Sequence, residues 1–572
     1  MNAVLKAQEP STTYLAHPEH PLTRGFDLLA TAIGGVPKLR DLIRSMAVRG
    51  LLIPQSPDDA PARELLADIR KAKERLIADG SLRPDKGTER VAEDDRPFAI
   101  PSSWAWARFG SIVINRDGER VPVSSEDRQH RAKVFDYYGA SGVIDKIDGY
   151  LFDKTLLLIG EDGANLINRS TPIAFLALGK YWVNNHAHVI DVTHDGLLEY
   201  LCLFINAISL EPYITGTAQP KMNQAKLNSI PVALPPFAEQ HRIVACVEEL
   251  MKLCDALEQS GRLADEQHAR LTSTLFDALA ASESAHALDE NWQRVAEHFD
   301  LLLDRFESID AFERAILQLA ARGLLVPQIP LDESAQNLLR RVAAGRSHLN
   351  PRFSAAGIGA AEEVPEDERP FNVPKGWLWA RIGAFSEVQG GIQKTQLRRP
   401  VKNHFPYLRV ANVQRDRLCL DRIERYELTD EEVTRWALQA GDLLVVEGNG
   451  SADEIGRCAI WDGSISPCVF QNHLMRVRPD IPETVEFLKL FLNSPDGMAE
   501  MKRLAITTSG LFNLSVGKIR NIAAPLPPLA EQRRIVARVE ELRRFCADLR
   551  LLLTDARAVQ SRLADALVTE VT

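Results

Sequence analysis

Apolar positions recur at alternating steps of four and three along two stretches of the chain. In the first they fall on Ile243, Val247, Leu250, Cys254, Leu257, Gly261, Ala264, His268, Leu271, Leu275 and Ala278. In the second they fall on Ile535, Val539, Leu542, Cys546, Leu549, Leu553, Ala556, Gln560, Leu563 and Leu567. The spacing predicts two helices of roughly forty residues, each about 60 Å long, bearing a coiled-coil seam. Two ordinary amphipathic helices, each on its own domain, are the alternative. Both helices open after a double proline, in LPPFAEQHRIV (234–244) and LPPLAEQRRIV (526–536). Proline lacks an amide donor and ends a strand, yet suits the first turn of a helix. Glu239 and Glu531 then sit where the helix dipole favours an anion.

Shorter patterns extend the duplication. FDLLATAIGGVPKLRDLIRSMAVRGLLIPQ (26–55) matches FDLLLDRFESIDAFERAILQLAARGLLVPQ (299–328) without a gap. Arg49–Gly50 and Arg322–Gly323 read as helix ends, with a cation in the last turn and a left-handed glycine. Residues 56–93 and 329–366 read as a short helix and a polar linker. The repeat offset is 273 residues up to Gly110, 287 where LLLIGEDG (156–163) aligns with LLVVEGNG (443–450), and 292 at the double prolines. The ends of each half are therefore near-copies, while the centres have diverged. Those centres, 111–230 and 384–522, hold short β-branched and aromatic runs between turns, as β-rich domains do.

This pattern predicts an α+β chain with a pseudo-two-fold internal repeat. Its parts are a helical region and linker (1–110), a β-rich domain (111–238) and a long helix (239–281). A second set follows: helical region (282–383), β-rich domain (384–530) and long helix (531–572). If the two-fold axis crosses the helices, they run antiparallel. The reading is a common frame carrying two different payloads.

At 572 residues the chain is long enough for two to four domains. No apolar run reaches the length of a membrane span, and the N-terminus lacks a signal-peptide core. Seven scattered cysteines form no CxxC pair, which fits a reducing cytoplasm better than a disulfide framework. The net charge of −10 rules out a wholly basic nucleic-acid coat. A local basic groove remains open.

Side chains that can read base edges are plentiful in the predicted loops. The first payload offers Lys146, Lys154, Asn165, Asn168, Arg169, Asn184 and Lys221. The second offers Gln393, Lys394, Arg398, Arg399, Lys402, Arg409, Asn412, Gln414, Arg415, Asn449 and Arg457. A solvated loop side chain is the competing reading for each. Tyr137, Tyr138 and Trp182 read as core or strand residues, and the Asn–His pairs at 185–186 and 472–473 as shared scaffold. Phosphate loops, HExxH, GxSxG and CxxC motifs are absent from the sequence. Neither double proline follows the Asn or Asp of an adenine-methyltransferase loop. A catalytic centre and a metal site are not expected.

The twin segments LPPFAEQHRIVACVEEL (234–250) and LPPLAEQRRIVARVEEL (526–542), with YYGASGVIDKIDGY, GDLLVVEGNGSADEIGRCAIWDG and FQNHLMRVRP, resemble the specificity subunits of type I restriction–modification enzymes. The resemblance implies two target-recognition domains, each reading half of a split double-stranded DNA site, and an antiparallel helical ruler between them. It implies two methyltransferase subunits holding S-adenosylmethionine, and two restriction–translocase subunits using ATP and Mg2+. No cofactor is then expected on this chain. A duplicated coiled-coil adaptor clamping two protein partners is the alternative.

Overall fold

The computed structural model describes residues 21–83, 90–216, 219–349, 364–393, 395, 398–448, 454–505 and 513–571. They form two compact units, one of residues 1–263 with 556–572 and the other of 264–555. No described helix is long and apolar enough to cross a membrane.

In the first unit a strut helix, Gly35–Arg49, ends at Gly50 with φ +73°. A Cβ there would also press within 2.6 Å of Pro101, so glycine serves both the turn and the close packing. Strands β1 (Ala105–Arg108), β2 (Ile114–Asn115), β3 (Phe135–Gly139), β4 (Gly142–Ile147), β5 (Phe152–Asp153) and β6 (Leu156–Gly160) follow. Next come β7 (Ala174–Ala177), β8 (Lys180–Val183), β9 (Ala187–Asp191) and β10 (Pro231–Leu234). One sheet runs β2-β9-β6-β7 and a second β4-β3-β8-β5, while β1 pairs with β10.

The second unit repeats the plan. Gly323, again at φ +73°, would meet Pro374 and Trp377. Its strands begin with β11 (Leu378–Arg381), β12 (Ser386–Gly390), β13 (His404–Leu408), β14 (Val413–Gln414) and β15 (Arg417–Leu418). They continue with β16 (Glu424–Glu427), β17 (Leu443–Val446), β18 (Cys458–Ile460), β19 (Val469–Phe470), β20 (Leu474–Pro479) and β21 (Ala523–Leu526). The sheets run β12-β20-β17-β18 and β16-β13-β19, and β11 pairs with β21. The β3/β8 and β13/β19 pairs are both parallel. The divergent centres therefore share one four-stranded sheet order and a three-strand core of the second sheet, to which the first domain adds β5 and the second the β14-β15 ribbon.

Three expectations need adjustment. Boundaries at 110/111 and 383/384 cut β1 and β11 away from the strands they pair with, so these segments belong with the β-rich domains. Aligning LLLIGEDG with LLVVEGNG letter for letter is one residue out on this strand. Leu157 and Ile159 face the frame core as Leu443 and Val445 do, and in a strand a slip of one residue exchanges faces.

The third concerns the seam. The long helices span Phe237–Ala280 and Leu529–Val571. Ile243, Val247, Leu250 and Cys254 are buried in one helix, and Ile535, Val539 and Cys546 in the other. Leu257, Leu275, Leu542, Leu549, Leu553 and Leu567 are half-buried. Leu271 and Leu563 are each 51% exposed, and Thr272 and Ala564 are buried in their place. A straight α-helix drifts about 20° per heptad against a 3.5-residue repeat. Over four heptads that approaches the 100° turn of one residue. Residues 258–267 are exposed on every side.

Each repeated motif near the double prolines turns out to be a latch. Gln240 Nε2 donates to the Pro235 carbonyl at 3.0 Å, and Gln532 Nε2 to that of Pro527 at 2.9 Å. Buried Glu239 accepts from Gln55 at 2.8 Å and from Trp104 Nε1 at 3.1 Å. Glu531 accepts from Gln328 at 3.0 Å. Arg242 pairs with Asp59 as Arg534 does with Asp332. Buried Lys73 donates to the carbonyls of Gly110 and Val113, and Arg346 to that of Gly383. The frame thereby fixes the root of each β-rich domain.

Candidate nucleic-acid interface

In the first domain most predicted readers have structural partners. Arg169, at φ +47°, caps a helix end by donating to the carbonyls of Asn206 and Ile208 at 3.1 and 2.6 Å. Burial pushes its pKa down. Asn184 is 5% exposed and accepts from the His186 amide. Asn165 holds the 165–171 turn through the Thr171 backbone. Lys154 binds Asp191 at 2.7 Å, Lys221 binds Glu161 at 3.2 Å, and Lys146 lies 3.3 Å from Asp136. Asn168 is exposed. The lysine heads stay about half exposed, but each already has a carboxylate.

Beneath them lies a charged cluster that the sequence reading missed. His188 is 1% exposed, with Nδ1 at 2.6 Å from Asp117 and Nε2 at 2.8 Å from the Met222 carbonyl. Burial alone would depress its pKa, but the bond and charge of Asp117 outweigh that and hold it above the usual histidine value. Burial likewise works to raise the Asp117 pKa, and His188 overcomes it and keeps that carboxyl low. Arg120 pairs with Glu161 at 2.8 Å beside them.

A cation–aromatic surface on the β3/β4 side was also missed. Arg131 lies 5.3 Å above the Trp182 ring, Lys180 4.8 Å above Tyr150, and Arg128 4.4 Å above Tyr137. The signal was present as basic residues interleaved with aromatics in RQHRAKVFDYY and KYW. Tyr137 is buried, as expected, but Trp182 is half-buried and Tyr150 exposed. Val143 and Ile144 at the β3–β4 turn are also exposed. Arg128 and Lys133 converge on Asp145 at 2.9 and 2.8 Å. Lys133 and then Arg128 hold that carboxyl far below the usual range.

In the second domain the β3–β4 turn is replaced by a long excursion between β13 and β16 that carries the β14–β15 ribbon. Asn412, 3% exposed, builds it by donating to the carbonyls of Cys419 and Arg422. Gln414 bonds the Ala411 carbonyl, Arg457 reaches Gln414 and Glu454, and Arg415 reaches Asn493. Arg409 pairs with Glu424 and Arg398 with Glu432, both at 2.9 Å. Gln393, Arg399 and Lys402 are exposed. Lys394 and Asn449 lie outside the described residues. Arg398, Arg399, Pro400, Arg425 and Tyr426 line a cavity of about 510 Å3. The structure thus gathers Arg398 and Arg399 at one crevice, joins Arg457 to Gln414, and disperses the other described readers.

His186 Nδ1 lies 2.8 Å from Asp162, and His473 Nδ1 2.9 Å from Glu447. These recurring pairs join the ends of the two inner strands of the matching sheet in both domains, β6 with β9 and β17 with β20.

Residues 101–265 and 374–550 match the family described as type I restriction modification DNA specificity domain. The chain is 30% identical over 576 residues to the EcoEI specificity subunit of a type I restriction enzyme from Escherichia coli, covering 93% of each chain. It is 28% identical over 565 residues to the EcoAI specificity subunit from the same organism, again covering 93% of each. Against the solved HsdS subunit from Thermoanaerobacter tengcongensis the identity is 17% and the TM-score 0.38, over 83% of this chain and 98% of that one.

Proposed function

The chain belongs to the family of type I restriction–modification DNA specificity subunits, and from that premise we propose that it reads a two-part site and leaves catalysis to its partners. One observation carries the proposal: two domains with a common sheet order in one sheet and different rims stand on duplicated frames. Each domain reads one half-site, its sheets giving position and its loops specificity. The long helices run antiparallel as a spacer, and their exposed middle offers a docking face to two methyltransferase subunits. Those subunits hold S-adenosylmethionine and extrude and methylate an adenine in each half-site. Two restriction–translocase subunits using ATP and Mg2+ complete the nuclease, in the cytoplasm. The acidic net charge suits this division, since partners share in neutralising phosphate. The relatives' names do not favour an adaptor between two proteins.

The test is a domain exchange. Replacing residues 384–522 with the corresponding domain of another family member, beside its methyltransferase partner, is expected to change methylation at one half-site only. Altered recognition on both sides would sink the modular reading. The chain purified alone is expected to neither methylate nor cut DNA when given S-adenosylmethionine, ATP and magnesium.

A further inference from the structure

The segment before β13 and the strand beside it form a crevice in the second domain. In the first, Arg128 and Lys133 enter the matching space from the segment before β3 and are neutralised on Asp145 of β4. In the second, three arginines and Glu424 line the crevice, and two of the arginines have partners named here. Arg398 is held by Glu432 at 2.9 Å, and Arg425 lies 3.2 Å from His404 Nδ1. Arg399 is exposed and has no partner among the described residues. The wall beside it is Pro400 and Tyr426, whose ring stacks on buried Tyr407 at 3.6 Å.

We propose that Arg399 is a specificity-determining residue of the second domain, its guanidinium reading a guanine edge in the half-site that this domain engages. The inference rests on the functional reading above and narrows it to one side chain. A guanidinium presents a planar fork of donors that matches guanine O6 and N7 in the major groove. The proline that follows disfavours helical backbone at Arg399, restricting where the fork points. The paired tyrosines and Pro400 give the crevice a stiff wall. A cation serving only to grip phosphate needs none of these features, and Lys402, exposed on the same segment, suits that task better.

The experiment uses the full chain assembled with its methyltransferase partner, and methylated sites are mapped across a genome. Wild type, Arg399→Ala, Arg399→Lys and Lys402→Ala are compared, with melting temperature as the folding control. Both Arg399 variants are expected to melt as wild type does. Both should accept other bases at one position of the second half-site, with discrimination there reduced about 5- to 150-fold. The first half-site and the spacing should not change. Lys402→Ala is expected to weaken all sites evenly. Even weakening by Arg399→Ala that Arg399→Lys restores would identify a phosphate contact and overturn the proposal, as would unchanged recognition. A wild-type assembly that marks no two-part site would overturn the underlying functional reading and this inference with it.

Discussion

The first and second β-rich domains share the order of one four-stranded sheet but build the other sheet differently, β4-β3-β8-β5 in the first and β16-β13-β19 in the second. In the first, β3 turns directly into β4, and nearby cations are drawn onto Asp145 or over aromatic rings. In the second, the chain between β13 and β16 travels outward, builds the β14–β15 ribbon around buried Asn412, and leaves an arginine-lined crevice. Buried strand faces tolerate little change, because each side chain must fill its place at close-packed density. A solvated rim carries no such demand. Divergence between two copies of one fold therefore collects at the rim.

The comparison fails first if the sheets are not equivalent cores. Leu157 and Leu443 are fully buried and occupy matching places. Leu157→Ala and Leu443→Ala are each expected to cost about 2–5 kcal/mol by denaturant unfolding. A small loss from only one would break the equivalence. The latches should differ more finely. Glu239→Ala leaves buried Trp104 Nε1 without its acceptor and is expected to cost about 1–3 kcal/mol. Trp377, the counterpart of Trp104, has no partner on its indole nitrogen among the described residues, so Glu531→Ala is expected to cost less.

The two domains should also separate with pH. His188 has Met475 at the matching place in the second domain, so the Asp117–His188 pair belongs to the first alone. The raised His188 pKa contributes stability fully below its unfolded value of 6.5, and this is lost as pH rises through the folded value. The lowered Asp117 pKa contributes stability above its unfolded value of 3.8, and this is lost as pH falls through the folded value. Amide-exchange protection in the first domain is expected to be best between those values and to decline as pH rises through the raised His188 value. His188→Met should remove the alkaline decline. The smallest effects are expected at the struts. Arg40 meets Asp255 and Glu258, and Arg550 meets Asp310 and Glu313, all near the surface. Replacing either arginine by alanine should cost about 0–1 kcal/mol, less at high salt, in thermal unfolding.

Much of the frame was legible in the sequence because its signals are local or repeated. Helix ends at Gly50 and Gly323, strand ends at the double prolines and the length of both long helices follow from backbone chemistry within a few residues. The role of LPPxAEQ was less legible. Its acid sits in the first helical turn as the dipole favours, but Glu239 and Glu531 also bind glutamines 184 and 203 residues away in sequence.

By itself the sequence determined the duplication, the α+β class and the family, since these rest on motifs and on periodicity. Only the tertiary structure decided that unlike centres share one four-stranded sheet order, because strand pairing joins segments that no local pattern links. It also decided which of the candidate polar side chains stay exposed and which are taken up inside their domains. Asn184, Asn412 and Arg169 look like readers as letters but satisfy backbone groups inside their domains. The seam ended one residue from its heptad position for a geometric reason. A helix turns 3.6 residues at a time, and what it packs against selects which of two neighbouring positions is buried.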